Sequence, residues 1–250
     1  MRLLPLLLVL LQHPDRPDLR AGLDTLYGGD FSAAARYFAA LATRDTADPA
    51  PLIFQAGAYI WWASARDSDT FEEARIDSLL DRAIGRARSG GDADRFWLAT
   101  ALGYRAREKD LHGHALSAAK DAKAMRDAYS TVLAADSACA DCYLGLGVYQ
   151  YGLARAGALA RLFAKIIGLG SGSADRGIAD LRRVARRGDL ARVEGAWVLA
   201  AALVREGDRD HARGPALRAE ARALVVDLAS RYPGNPVFSR FLSEVPAEGP

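Results

Sequence analysis

The strongest constraint on this chain is a helical period that begins near Leu19 and hardly stops, cut at short intervals by Gly, Asp and Pro. Leu19, Leu23, Leu26 and Tyr27 recur at the three- and four-residue spacing of one buried helix face. Gly28-Gly29-Asp30 breaks that run. Phe31, Ala34, Ala35, Phe38 and Leu41 restart it on a second helix. Asp48-Pro49-Ala50-Pro51 ends the second, because proline cannot continue a helix and restricts the residue before it. The same alternation predicts helices over 52–66 and 70–89, 93–109 and 115–136, 138–153 and 174–187, and 190–206 and 212–232. Residues 154–173 are less regular, and Pro233-Gly234-Asn235-Pro236 stops the array. Asp69 or Thr70 is the expected cap of the 70–89 helix, with Glu72 and Glu73 suiting the positive end of its dipole. The period-two alternation of a half-buried strand is missing.

A helical pair cannot bury its apolar side alone, so pairs of this kind must stack on their neighbours. The expected class is therefore all-α, an α-solenoid of about five helix-turn-helix hairpins. It would comprise an N-terminal apolar segment over 1–17, a repeat domain over 18–238 and a tail over 239–250. Composition agrees. Half of the 250 residues are hydrophobic, enough for a sizeable core, and Ala, Leu and Arg dominate while β-branched residues are sparse. A net charge of +2 gives no general attraction to nucleic acid or to a membrane surface.

Behind Met1-Arg2 stands an unbroken apolar run from Leu3 to Leu11, interrupted only by Pro5. It is far shorter than the roughly 20 apolar residues a spanning helix needs. It has the make-up of a secretory signal core, although Gln12-His13-Pro14-Asp15 is a poor processing site. A periplasmic or secreted protein is the expectation, with a cytoplasmic chain and a buried first helix as the alternative. No later segment is apolar enough to cross a membrane, so no transmembrane helix is expected in the mature chain.

The junction from Met125 to Tyr151 carries a family resemblance. Met125, Tyr129, Val132, Leu133 and Asp136-Ser137, followed by Tyr143 and Leu146-Gly147, resemble the second helix, turn and next first helix of tetratricopeptide repeats. Gly29-Asp30-Phe31 with Ala34 and Phe38 is similar to the same family's turn, small and aromatic positions. Ala221, Val225, Leu228 and Tyr232-Pro233 form a degenerate copy. Met125 stands where Ala is usual, and Ser137 where Pro is usual. The resemblance implies a right-handed superhelix with the first helices lining a concave surface, and a non-catalytic scaffold for a peptide or protein partner. It implies no cofactor.

On that expectation the partner-binding residues are the aromatics Tyr59, Trp62, Tyr104, Tyr143 and Tyr151, with Arg183 and Arg187 from the basic cluster Arg182-Arg183…Arg186-Arg187. Adjacent Trp61 and Trp62 cannot share one helix face, so one belongs to the core and the other on or near the groove. Other motifs are weaker. Asp110, His112 and His114 form a D-x-H-x-H, and Cys139 and Cys142 a lone C-x-x-C; a metal-dependent enzyme or redox protein built on either is the alternative function. Structural zinc needs about four ligands, and thioredoxin-like chemistry needs a βαβ setting. Both motifs are therefore read as turn and packing residues, the cysteines able to pair if the chain is exported. Gly168-Leu169-Gly170-Ser171-Gly172 lacks the preceding strand and following Lys of a phosphate cradle and is read as a turn.

Overall fold

The computed structural model describes residues 16–157 and 168–245, so the Leu3–Leu11 run lies outside the described residues. Among the described residues every regular element is a helix, and there is no strand. The helices are α1 Pro17–Tyr27, α2 Phe31–Arg44, α3 Ala50–Arg66, α4 Glu73–Gly90, α5 Arg95–Leu111, α6 Ala115–Ala135, α7 Cys142–Arg155, α8 Ala174–Arg187, α9 Arg192–Arg209, α10 Gly214–Arg231 and α11 Pro236–Glu244. No helix among the described residues is long and apolar enough to cross a membrane.

The stop and start signals act locally as the residues dictate. Asp30 caps α2, its carboxylate accepting from the Ala33 amide at 3.0 Å. Ser173 caps α8 and Asn235 caps α11 in the same way. The expected cap at Asp69 or Thr70 is corrected: α4 starts at Glu73, behind a left-handed Glu72, with no side-chain cap. The reason is a ring contact. Phe71 packs 5.0 Å from Trp62, which holds residues 68–72 in a turn against α3 and delays the helix. The expected tail boundary at 238/239 falls inside α11, whose Phe238 and Phe241 are buried.

Each helix packs on the next one in the chain, and α1, α3, α5, α7 and α9 also touch in succession. The helices α1, α3, α5, α7 and α9 are thus neighbours in space as well as partners of the helices that follow them. Small residues set the closest approach. A Cβ on Gly177 of α8 would lie 2.7 Å from the Gly147 carbonyl oxygen and from the Tyr151 amide nitrogen of α7, so only glycine fits that crossing. This gives Gly147, read from the sequence as half of a Leu-Gly pair, its physical role.

The segment leading into the last described helix returns to the first described one. α11 packs on α3. Trp61 of α3 lies 5.7 Å from Phe238 and 5.9 Å from Trp197 of α9, and 5.5 Å from Tyr27 of α1. Trp197 in turn meets Phe238 at 5.7 Å and Phe241 at 5.3 Å. Polar contacts fix the same seam. Buried Asn235 donates to the Tyr27 carbonyl at 3.0 Å, Tyr232 donates to Asp24 at 3.3 Å, and Arg240 donates to the Ser64 carbonyl. Arg20 of α1 is paired with Asp189 at 2.7 Å. Gly29 sits at φ 95°, and a side chain there would fall on the Gly234 carbonyl, so the α1–α2 turn and the 233–235 turn demand glycine against glycine.

Phe238 fills the space between two tryptophans and is fully buried. Phe238→Ala is expected to cost about 3–5 kcal/mol in urea unfolding. Tryptophan emission should shift to longer wavelength as Trp61 and Trp197 gain water.

Candidate functional site

The residues picked out from the sequence do not form one surface. They fall into four separate contacts, each between neighbouring helices. Tyr59 is buried, stacks on Trp62 at 6.3 Å and accepts a hydrogen bond from Arg75 at 3.0 Å. Trp61 is the core member of its pair and Trp62 the half-buried one. Tyr151 is buried and donates to Glu206 at 3.0 Å, while Arg155 closes on the same carboxylate. Tyr143 is covered by the Arg183 guanidinium, 4.0 Å above its ring, and Arg183 also donates to the Ser137 carbonyl at 3.2 Å. Arg187 is exposed at the end of α8. Tyr104 lines the cavity between α5, α6, α7 and α9.

The other motifs resolve as follows. The His112 ring points at Glu73, Nδ1 to carboxylate 3.5 Å, and among the described residues no group of three or more His, Cys, Asp or Glu is placed to hold a metal ion. Cys139 and Cys142 form a disulfide across the start of α7, with Cα atoms 5.6 Å apart. Being so paired, they are more than the two small packing residues read from the sequence. The buried Leu169 ties the glycine-rich segment down: its carbonyl accepts from Tyr149 at 2.6 Å and from Arg126 at 3.1 Å, so it bonds the protein itself.

The site that does assemble is a cavity of about 30 Å³ between α5, α6, α7 and α9, with Phe54 of α3 in its wall. Tyr104, Thr100, Phe96 and Trp97 come from α5, Tyr129 from α6, Leu144 from α7 and Glu194 from α9; Asp141, Leu190 and Ala191 come from the adjoining turns. The aromatic walls are mutually steep. Phe54 meets Trp97 at 82°, Phe96 meets Trp97 at 79°, and Phe96 meets Tyr129 at 63°. Phe54, Phe96, Trp97 and Tyr129 are buried; Thr100, Tyr104, Asp141, Leu144, Leu190, Ala191 and Glu194 are half-buried and form the side with solvent access.

Two carboxylates face this apolar setting. Glu194 accepts the Tyr104 hydroxyl on Oε2. It lies deep among the rings yet keeps some accessible surface because it borders the cavity. Burial pushes its pKa up, against the opposing pull of the Tyr104 hydrogen bond and the charge of Arg107. Asp141 is pushed up by burial as well, and held back by hydrogen bonds from backbone amides. Its oxygens accept from the Asp189 and Leu190 amides at 2.7 and 3.0 Å, just before α9. Asp141 thus ties down the turn between α8 and α9, and α9 itself starts behind Ala191 with no side-chain cap. Burial and the Glu194 charge raise the Tyr104 hydroxyl well above its usual range. Thr100 donates to the Phe96 carbonyl at 2.9 Å and lies 2.9 Å from the Tyr129 hydroxyl. With its one proton so placed, Thr100 accepts from Tyr129, which leaves the Tyr129 oxygen free to accept.

Glu194 and Asp141 escaped the sequence reading for a plain reason. A Glu in the first turn of a helix and an Asp before one are ordinary dipole partners, and nothing in the local pattern says that either is enclosed by aromatic rings. Comparison of the chain with protein-family models, with curated proteins and with solved structures finds no match.

Two outcomes test this arrangement. In Glu194→Gln the buried charge is gone while the acceptor for Tyr104 remains. Below about pH 4 the wild-type carboxyl is protonated folded or unfolded, and its burial adds no ionisation penalty. As the pH rises through the unfolded pKa, the unfolded chain gains the ionised state more readily than the native one, and stability is lost. Thermal melts should therefore place Glu194→Gln above wild type at pH 7, with the gap closing below about pH 4. Asp141→Ala orphans amides at the start of α9 and should cost about 1–3 kcal/mol in chemical denaturation.

Proposed function

We propose that the chain is a non-catalytic, tetratricopeptide-like scaffold that binds a peptide or protein partner on its inner face, in the cell envelope after export. In this reading the hairpins α1–α2, α3–α4, α5–α6, α7–α8 and α9–α10 form a short right-handed solenoid, and α11 closes its last turn. The observation that carries the proposal is the succession of contacts through α1, α3, α5, α7 and α9, the neighbour pattern stacked hairpins require. An opening toward solvent that combines aromatic rings with convergent polar groups lies at Thr100, Tyr104 and Glu194. The other aromatics named from the sequence are engaged between helices, so recognition in this reading concentrates at Tyr104 rather than along a continuous groove. The Cys139–Cys142 disulfide supports an oxidising compartment, as does the Leu3–Leu11 run.

The test is affinity capture from envelope extracts with the purified chain as bait, followed by mass spectrometry and crosslink mapping. A specific partner should be enriched by wild type and by Arg187→Ala, and depleted by Tyr104→Ala, with circular dichroism confirming that each bait is folded. Crosslinks confined to the outer helices, or capture indifferent to Tyr104, would sink the inner-face reading. N-terminal sequencing of the mature protein checks export; an intact Met1 in the cytosol contradicts it.

A further inference from the structure

The cavity at Glu194 has a definite size and a definite deficit of charge. Its water-accessible part is about 30 Å³, room for a head group the size of a water molecule. Asp141 has its oxygens on backbone amides. Glu194 has one oxygen on Tyr104, and among the described residues no donor bonds the other. Arg107, the cation that acts on Glu194 from α5, has its own guanidinium on Glu108. Tyr129 lines the same space, and its hydroxyl oxygen beside Thr100 keeps acceptor capacity. The walls are steeply inclined aromatic rings, whose faces attract cations.

We propose that this cavity is a receptor for a primary ammonium group, R–NH3+, entering through the half-buried side with its alkyl stem against Leu144, Leu190 and Ala191. An ammonium head is the size of a water molecule and carries three donors. It matches the open oxygen of Glu194, the Tyr129 oxygen and the ring faces together. An anion is repelled by both carboxylates, and a quaternary ammonium is too large for the space. The head comes either from a free alkylamine or from a lysine side chain of the bound partner; the second source rests on the scaffold reading above, the first does not.

The experiment is isothermal titration calorimetry on the purified protein in an amine-free buffer at neutral pH. The probes are n-butylammonium, the tripeptide acetyl-Gly-Lys-Gly-amide, n-butanol and tetramethylammonium. Saturable binding of n-butylammonium in the millimolar range is expected, with none of n-butanol or tetramethylammonium. Glu194→Gln should weaken it roughly tenfold or more, the loss of one charge-assisted hydrogen bond. Leu116→Ser, at an exposed position of α6 outside the cavity lining, should retain binding, and circular dichroism of Glu194→Gln separates a lost site from a lost fold. Tighter binding of the lysine tripeptide assigns the site to a partner's side chain, and tighter binding of n-butylammonium assigns it to a free amine. The proposal is overturned if n-butylammonium shows no saturable binding, if n-butanol binds equally well, or if Glu194→Gln leaves the affinity unchanged while folded. Amine binding with partner capture indifferent to Tyr104 would remove the inner-face scaffold and leave the ammonium site standing. Partner capture without amine binding would do the reverse.

Discussion

The structure depends on the packing of Trp61 against Phe238, where the last helix returns to the second hairpin. A stack of helical pairs has an apolar face at each end, and each must be covered. Here α11, the last described helix, returns to pack on α3. Trp61, Trp197 and Phe238 form a triangle of rings with sides of 5.7 to 5.9 Å, and Tyr27 extends it to α1. Asn235 locks the seam by serving two roles at once, donating to Tyr27 and capping α11. A buried amide satisfied on both its oxygen and its nitrogen specifies one register, because a shift would orphan both.

That closure explains why the row of α1, α3, α5, α7 and α9 is not an open trough. Rings from α3, α5, α7, α9 and α11 pack between helices, and the tyrosines among them find partners on neighbouring helices. Tyr59 meets Arg75, Tyr151 meets Glu206, and Tyr143 lies under Arg183. These pairs stiffen helix-to-helix contacts. What is left open is a small volume at Tyr104 and Glu194, where burial among the rings raises the carboxyl pKa against the pull of Tyr104 and Arg107. Electrostatics and shape there favour the same narrow class of visitor, a small positive group.

The helix order was largely legible in the sequence, because the stop signals are chemical and local. Gly28-Gly29, Asp48-Pro49 and Pro233-Gly234 break helices wherever they stand, and the predicted pairs coincide with α1 to α10 within a few residues. The start of α4 was not legible, since it is set by Phe71 reaching Trp62 across the turn. Nor was α11 read as a helix of the fold. Pro236 looked like a terminator, yet it occupies the first turn of α11, where its missing amide costs nothing. Of the candidate site, Tyr104 was found and Glu194, Asp141, Thr100 and Tyr129 were not. Tyr104 stood out as an aromatic on a first helix, whereas a carboxylate gains its character from neighbours distant in sequence, such as the 90 residues between Tyr104 and Glu194.

By itself the sequence determined that this chain is all-α and where most of its helices from α1 to α10 begin and end. Those properties follow from backbone stereochemistry and from periodicities of a few residues. Only the tertiary structure decided that the array closes on itself, that the aromatics are mostly consumed between helices, and that two acidic residues face a cavity walled by rings. Burial and electrostatic field are properties of the assembled molecule. A residue's local pattern records which face it occupies, and the partner across that face is chosen by the fold.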